Sequence, residues 1–159
     1  MIPAPMQPTL AQRETSSRAS RPSRDARDAV VFRLPVRVYW EDTDAGGIVF
    51  YANYLKFFER ARTEWLRSLG VHQQAMRERT GAMFVVTHTS MHYRAPARLD
   101  DALEVTDAVR HTGRASLEVA QQARRDETRL AEGEVRIGCV DAASLRPCRI
   151  PIEVIQALA

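Results

Sequence analysis

Apolar residues recur along this chain with two different periods. Val36, Val38 and Trp40 alternate with Arg37 and Tyr39, the period of a half-buried strand. From Asn53 the period changes: Leu55, Phe58, Trp65, Leu66 and Leu69 recur at helical spacing. This predicts an amphipathic helix over 53–69, with Asn53 as N-cap and Gly70 as its stop. A short helical piece over 72–80 is closed by Gly81. Residues 82–94 read as a long strand, with Phe84 and Val86 on one face and Val85, Met91 and Tyr93 on the other, broken by Pro96. Further strands are predicted over 103–109, 116–123 and 130–140, with a turn at Gly113, a charged turn at Arg124-Arg-Asp-Glu and a bulge at Gly133. Pro147 and Pro151 lead into a closing helix over 152–158. One helix followed by an antiparallel meander is an α+β pattern, and the helix at 53–69 is the one candidate to cover the sheet's inner face.

Residues 1–28 break the patterning. They hold Pro3, Pro5, Pro8 and Pro22, many Ser and Arg, and no aromatic residue. Such a segment buries too little to offset its ordering entropy and reads as a disordered tail ahead of a domain over 29–159. An organelle transit peptide is the alternative, but Glu14, Asp25, Asp28 and the prolines argue against it. The tail also carries much of the net charge of +3: it has five Arg and three acids, leaving 18 basic and 17 acidic residues elsewhere. A nearly neutral domain gives no support to nucleic-acid binding. No apolar run reaches the ~18 residues of a membrane span and no signal core opens the chain, so the expected location is cytoplasmic. Cys139 and Cys148 are expected to be reduced there.

Candidate chemistry sits between the first strand and the long helix. Glu41, Asp42 and Asp44 fall within four positions, followed by Gly46 and Gly47. A carboxylate just before a helix N-terminus stands beside outward-pointing amides that would hold a developing oxyanion, a reasonable site for attack on an acyl carbonyl. A solvated acidic loop is the plain alternative. An EF-hand fails, because Gly46 occupies a ligand position and Asn53 stands where the bidentate Glu belongs. His88 and His92 share a strand face ~13 Å apart, too far to ligate one ion, so no metal site is expected. There is no Gly-x-Ser-x-Gly elbow for a serine nucleophile.

The run Glu41-Asp-Thr-Asp-Ala-Gly-Gly-Ile-Val-Phe-Tyr-Ala-Asn-Tyr resembles the signature of hot-dog-fold proteins of the 4-hydroxybenzoyl-CoA thioesterase family. Phe58-Glu-Arg-Ala-Arg-Thr-Glu and Tyr93-Arg-Ala-Pro-Ala-Arg-Leu-Asp-Asp bring the likeness closest to the Tol–Pal-associated YbgC type. It covers roughly residues 32–155, with three separated motifs in order. The resemblance implies an antiparallel five-stranded sheet wrapped around one long central helix, assembled as a homodimer or homotetramer with active sites between subunits. It implies hydrolysis of acyl-CoA thioesters without metal or organic cofactor, with acyl carrier protein as an alternative thiol carrier. Asp44 matches the family's catalytic Asp, as nucleophile or general base, and Tyr51 matches the position whose backbone N–H polarises the carbonyl. Many YbgC-type relatives carry histidine after this tyrosine, where this chain has Ala52. Arg114 and Ser116 match the turn that reaches the coenzyme A phosphates from a neighbouring subunit; an exposed turn arginine is the plain alternative.

Glu59 admits two readings. By helical geometry it falls near the edge of the apolar stripe, with Arg62 three residues on. It is either one half of a structural pair with Arg62 or an alternative active-site acid, since several hot-dog thioesterases place theirs on this helix. Two function classes stand beside hydrolysis: a hydratase or dehydratase, which would want a histidine the acidic loop lacks, and a non-catalytic thioester-binding or envelope-associated interaction protein.

Overall fold

The computed structural model describes residues 31–159, so the expected tail over 1–28 lies outside the described residues. In chain order the elements are β1 (Val31–Arg37), a 3-10 turn (Trp40–Asp42), α1 (Asn53–Ser68), α2 (Gln73–Thr80), β2 (Ala82–Tyr93), β3 (Ala102–Thr112), β4 (Ser116–Arg125), β5 (Thr128–Asp141) and α3 (Ile152–Leu158). The five strands form one antiparallel sheet in the order β1-β3-β4-β5-β2. Helix α1 covers its inner face, which is the expected α+β hot-dog arrangement. Among the described residues no helix is long and apolar enough to cross a membrane.

The covering face of α1 is built from Tyr54, Phe57, Phe58, Ala61 and Trp65, spaced as one side of a helix. The first four pack with Val38, Leu103, Val105 and Leu130, and Trp65 stacks on Phe32 with ring centroids 6.3 Å apart. A second cluster gathers Val71, Met76, Leu117, Cys139, Ile150 and Val154 where α2 and α3 close the far end. This stripe is rotated from the one expected. Leu55 and Leu69 are 39% and 37% exposed, because the larger rings of Tyr54 and Phe57 take the sheet-facing positions and the helix ends at Ser68.

Other corrections are local. The first strand runs over 31–37, not 36–40, and Trp40 is 79% exposed in the 3-10 turn that follows. Pro35 is tolerated because β1 is an edge strand. Ala52, not Asn53, is the N-cap of α1. The expected bulge at Gly133 is absent: this residue pairs in register with Met91 and Gln121. A Cβ there would lie 2.2 Å from the Ser90 carbonyl oxygen, so close backbone approach is what demands glycine. The extra residues sit instead at Thr87, Arg110 and Leu130. Gly81 ends α2 in the left-handed conformation (φ +73°), as expected.

One polar network interrupts the apolar seam. Asp107 is fully buried on β3 and accepts a hydrogen bond from Gln121 Nε2, which also donates to the Phe58 carbonyl at 2.9 Å. Arg62 reaches in from α1 to donate to Gln121 Oε1 at 2.6 Å. Asp107 Oδ2 has no partner among the described residues. Burial pushes this carboxyl up to about 7, against smaller lowering effects from Gln121 and Arg62.

Unfolded, the same group titrates near ~3.9. Its preference for the folded state is therefore full below that value and is lost as pH rises through about 7. Asp107→Asn keeps the shape and is neutral at every pH. Its stability relative to wild type should rise by roughly 2–4 kcal/mol between pH 4 and pH 8, read from urea unfolding across that range. A flat difference would show that the Asp107 carboxyl titrates in the folded protein as it does in the unfolded chain.

Candidate active site

After β1 the chain is tied down before it turns. The Val38 amide donates to the Asp101 carbonyl at 3.0 Å, and the Asp100 amide to the Val38 carbonyl at 3.1 Å. The acidic loop then folds back on itself. Asp44 N–H donates to Ile48 O (2.9 Å), Gly47 N–H to Asp44 O (3.0 Å) and Phe50 N–H to Asp42 O (2.9 Å), while Thr43 and Val49 form a bridge. Gly47 supplies the positive φ this reversal needs (+72°).

Asp42 anchors this loop. Its carboxylate is 2% exposed, accepts the Tyr39 amide at 2.7 Å through Oδ2 and takes Asn53 Nδ2 on Oδ1. The residue expected as a helix cap is therefore a clamp: Asn53, itself buried, joins the first turn of α1 to the acidic loop eleven residues earlier. Asp44 stands exposed at the apex. Its Oδ1 accepts the Gly46 amide at 2.8 Å, and Oδ2 has no partner among the described residues. A Cβ on residue 46 would lie 3.0 Å from that Oδ1, so glycine lets the carboxylate fold back over the turn.

Tyr51 lies where the loop enters α1. Its side chain is 62% exposed, its carbonyl accepts the Tyr93 hydroxyl at 3.0 Å, and its amide donates to no other described residue. Tyr93, at the end of β2, also packs edge-on against Tyr51 and at a tilt against Tyr54, with centroids 6.2 and 5.8 Å apart. Burial, with a smaller contribution from Tyr51, pushes the Tyr93 hydroxyl above its ordinary value, which keeps it a donor. These three rings with Ile48, Ala95 and Pro96 line an open cavity of about 320 Å³. A separate groove of about 470 Å³ lies on the sheet's outer face, lined by Arg33, Thr106 and Gln122 among others, and includes neither Asp44 nor Tyr51.

The expected Glu59–Arg62 pair does not form. Arg62 turns inward to Gln121, and Glu59 stays exposed, accepting the Thr63 hydroxyl at 2.7 Å. Gln73 donates in turn to Thr63 Oγ1 at 3.0 Å, and the three residues edge a cavity of about 120 Å³ closed by Leu66, Phe84 and Leu117. Arg114 and Ser116 sit on the β3–β4 turn, Arg114 exposed and without a side-chain acceptor among the described residues. The acidic loop docks beside the start of β3, whereas Arg114 follows its end. Eleven residues at ~3.3 Å each separate the two within one chain. Among the described residues no three His, Cys, Asp or Glu side chains gather in a metal-binding group, and His88 and His92 are both exposed on β2.

Sequence reasoning missed the clamp and the role of Tyr93. The Asp42–Asn53 contact has no local signature, since ten intervening residues separate the partners. Tyr93 had a signal, as the first residue of the motif that contains Pro96.

The profile of the thioesterase-like superfamily matches residues 38–158. The acyl-CoA thioesterase YbgC of Haemophilus influenzae is 44% identical over 123 residues, covering 77% of this chain and 90% of the relative. The acyl-CoA thioester hydrolase YbgC of Escherichia coli O157:H7 is 45% identical over 130 residues, covering 80% and 96%. Among solved structures, a probable thioesterase from Bartonella henselae matches with a TM-score of 0.74 at 30% identity, over 77% of this chain and 100% of that one. With the sheet, the covering helix and the acidic loop all in place, the chain belongs to the thioesterase-like superfamily and, within it, to the YbgC thioesterases.

Proposed function

We propose that this protein hydrolyses acyl-CoA thioesters to a free carboxylate and coenzyme A in the cytoplasm, with Asp44 as the reacting carboxylate. One observation carries the reading. Among the described residues, a carboxylate with an uncommitted oxygen stands on a loop that runs directly into a helix whose entry amide, at Tyr51, has no acceptor. The thioester carbonyl oxygen would lie against that amide, where the helix's N-terminal partial charge favours the negative charge that develops on attack. By one route Asp44 takes a proton from water as the water oxygen bonds to the carbonyl carbon, and the C–S bond then breaks to release the thiolate. By the other, Asp44 itself bonds to the carbon, expels the thiolate and leaves an anhydride for water to open. Both routes need the ionised carboxylate.

Arg114 and Ser116 of a neighbouring subunit would contact the coenzyme A phosphates, since the same residues in one chain lie a strand's length from Asp44. Assembly as a dimer or tetramer is supported by β2, a twelve-residue edge strand with exposed Val86 and Tyr93. The Haemophilus and Escherichia relatives are named for acyl-CoA, which favours it over acyl carrier protein as the thiol carrier.

Release of free thiol from a panel of acyl-CoAs tests the reading. Asp44→Asn should lose at least ~10²-fold in turnover with its melting temperature unchanged, whereas Glu59→Gln, away from the loop, should stay within a few-fold of wild type. Retention of more than about a tenth of turnover by the Asp44 variant, or the reverse ranking of the two, would remove Asp44 from the reaction.

Asn53→Ala strips a donor from the buried Asp42 carboxylate. It should cost about 2 kcal/mol in stability and lower turnover several-fold at a temperature where the variant is fully folded. Lost stability with unchanged turnover would mean that the clamp supports the fold alone.

A further inference from the structure

One pair of reactive side chains has no part in the reaction above. Cys139, in β5, and Cys148, in the segment leading to α3, are both free, with their sulfurs 3.5 Å apart. The fold opposes them for a definite reason. Strand β4 begins at Ser116, paired with Gly138, so β5 loses its β4 neighbour beyond that point. Residues 146–150 take the vacated place. Cys148 N–H donates to Cys139 O at 3.0 Å, Asp141 N–H donates to Arg146 O at 2.9 Å, and Val140 bridges Pro147. The connecting turn is held by Asp141, whose Oδ1 accepts the Ser144 amide at 2.8 Å, and by Leu145 in the left-handed conformation (φ 57°). The two cysteines thus face each other directly across an antiparallel pairing. Opposed residues of an antiparallel pair have Cα atoms ~4.5–5.5 Å apart, inside the range a disulfide requires.

We propose that Cys139 and Cys148 form a reversible redox dithiol that takes a small-molecule disulfide as its oxidant and fastens the 146–150 segment to β5. The half-buried Cys148 starts the exchange. Its sulfur gives up a proton and attacks one sulfur of the oxidant RS–SR, releasing one RSH. Cys139 then loses its proton and attacks the Cys148 sulfur, breaking the mixed disulfide and releasing the second RSH. Two thiols are oxidised by two electrons and one disulfide is reduced to two thiols. This order follows from accessibility: Cys139 is 1% exposed, and burial, reinforced by the neighbouring Cys148, pushes its thiol up to about 12.

Closing the bond brings the sulfurs from 3.5 Å to ~2.05 Å and so draws the segment toward β5. The same segment holds the β3–β4 turn, through Ile150 N–H on Arg114 O at 2.9 Å, while Cys139 N–H holds Ala115 O at 2.8 Å. Oxidation therefore stiffens the turn that carries Arg114. A resulting change in KM for acyl-CoA rests on the coenzyme A role proposed above.

The test uses the full chain incubated with oxidised glutathione, read by intact mass and by thiol titration in denaturant. Both thiols should disappear with the loss of two hydrogen masses and return with dithiothreitol, and the melting temperature should rise by about 5 °C on oxidation. Cys139→Ser should stop at a glutathione adduct on Cys148, and Cys148→Ser should remain unmodified. Persistence of both wild-type thiols, or accumulation of a glutathione adduct on wild type, would overturn the proposal. The mass and thiol readouts do not depend on activity. A silent thioesterase assay beside a formed disulfide would therefore count against the hydrolase reading alone.

Discussion

Everything the proposed site needs hangs on one buried carboxylate. Asp42 collects the Tyr39 amide on one oxygen and the Asn53 side chain on the other, at 2% exposure. The first contact ends β1 and turns the chain; the second fixes where α1 begins. Between them lie the apex that carries Asp44 and the amide of Tyr51, so the relative position of the two groups is set by a contact that includes neither. A buried acceptor with both oxygens occupied resists displacement, because losing a donor strands it away from water. That gives a surface loop the fixed geometry that charge stabilisation of a transition state requires.

The sheet imposes the second constraint. Five strands present one apolar face, and a single sixteen-residue helix has to cover it. The aromatic residues of α1 do so near its N-terminus and Trp65 does so further along, leaving Arg62 against the sheet between them. The Arg62–Gln121–Asp107 network fills this gap. Burying an acid there is costly when it is charged, and the shift of Asp107 to about 7 expresses that cost as a preference for the neutral form.

The fold was legible because its signals are local. The later period-2 runs, the long helix and Gly81 after the short helix each depend on neighbours within a few residues and appear where their patterns lie, whereas the Val36–Trp40 alternation runs past the end of β1 into the 3-10 turn. What failed was everything set by distant packing. Leucine counts put Leu55 and Leu69 on the inner face, but the sheet selects by shape and takes Tyr54 and Phe57 instead. That rotation also explains why Glu59 and Arg62 do not pair: three residues apart, one meets solvent and the other meets Gln121. Gly133 looked like a bulge because glycine in a strand has two causes, and only the Ser90 carbonyl across the ladder distinguishes them. At the candidate site, the placement of Asp44 on the loop and of Tyr51 at the helix entry follows a contiguous motif, whereas Asn53 could not be recognised as a clamp without its partner.

The two ends of the sheet are thus set up differently. At the α1 entry the chain holds its acidic loop by itself, through the Asp42 carboxylate, through Val38 N–H on Asp101 O and through Val49 N–H on Ala97 O at 2.9 Å. At the far end the β3–β4 turn depends on a segment arriving from the C-terminal side, through Ile150 on Arg114, because β4 stops short and leaves part of β5 to be covered. The proposed hydrolysis asks for both ends at one substrate, and a strand's length separates them within a chain. On the proposed reading, a second copy would bring its β3–β4 turn to this acidic loop. Carbonyl and nucleotide recognition, as proposed, then fall on opposite ends of β3. The proposed carbonyl end is fixed by a buried carboxylate, and the proposed nucleotide end is held by a segment paired to β5 through backbone hydrogen bonds and lying beside two opposed thiols.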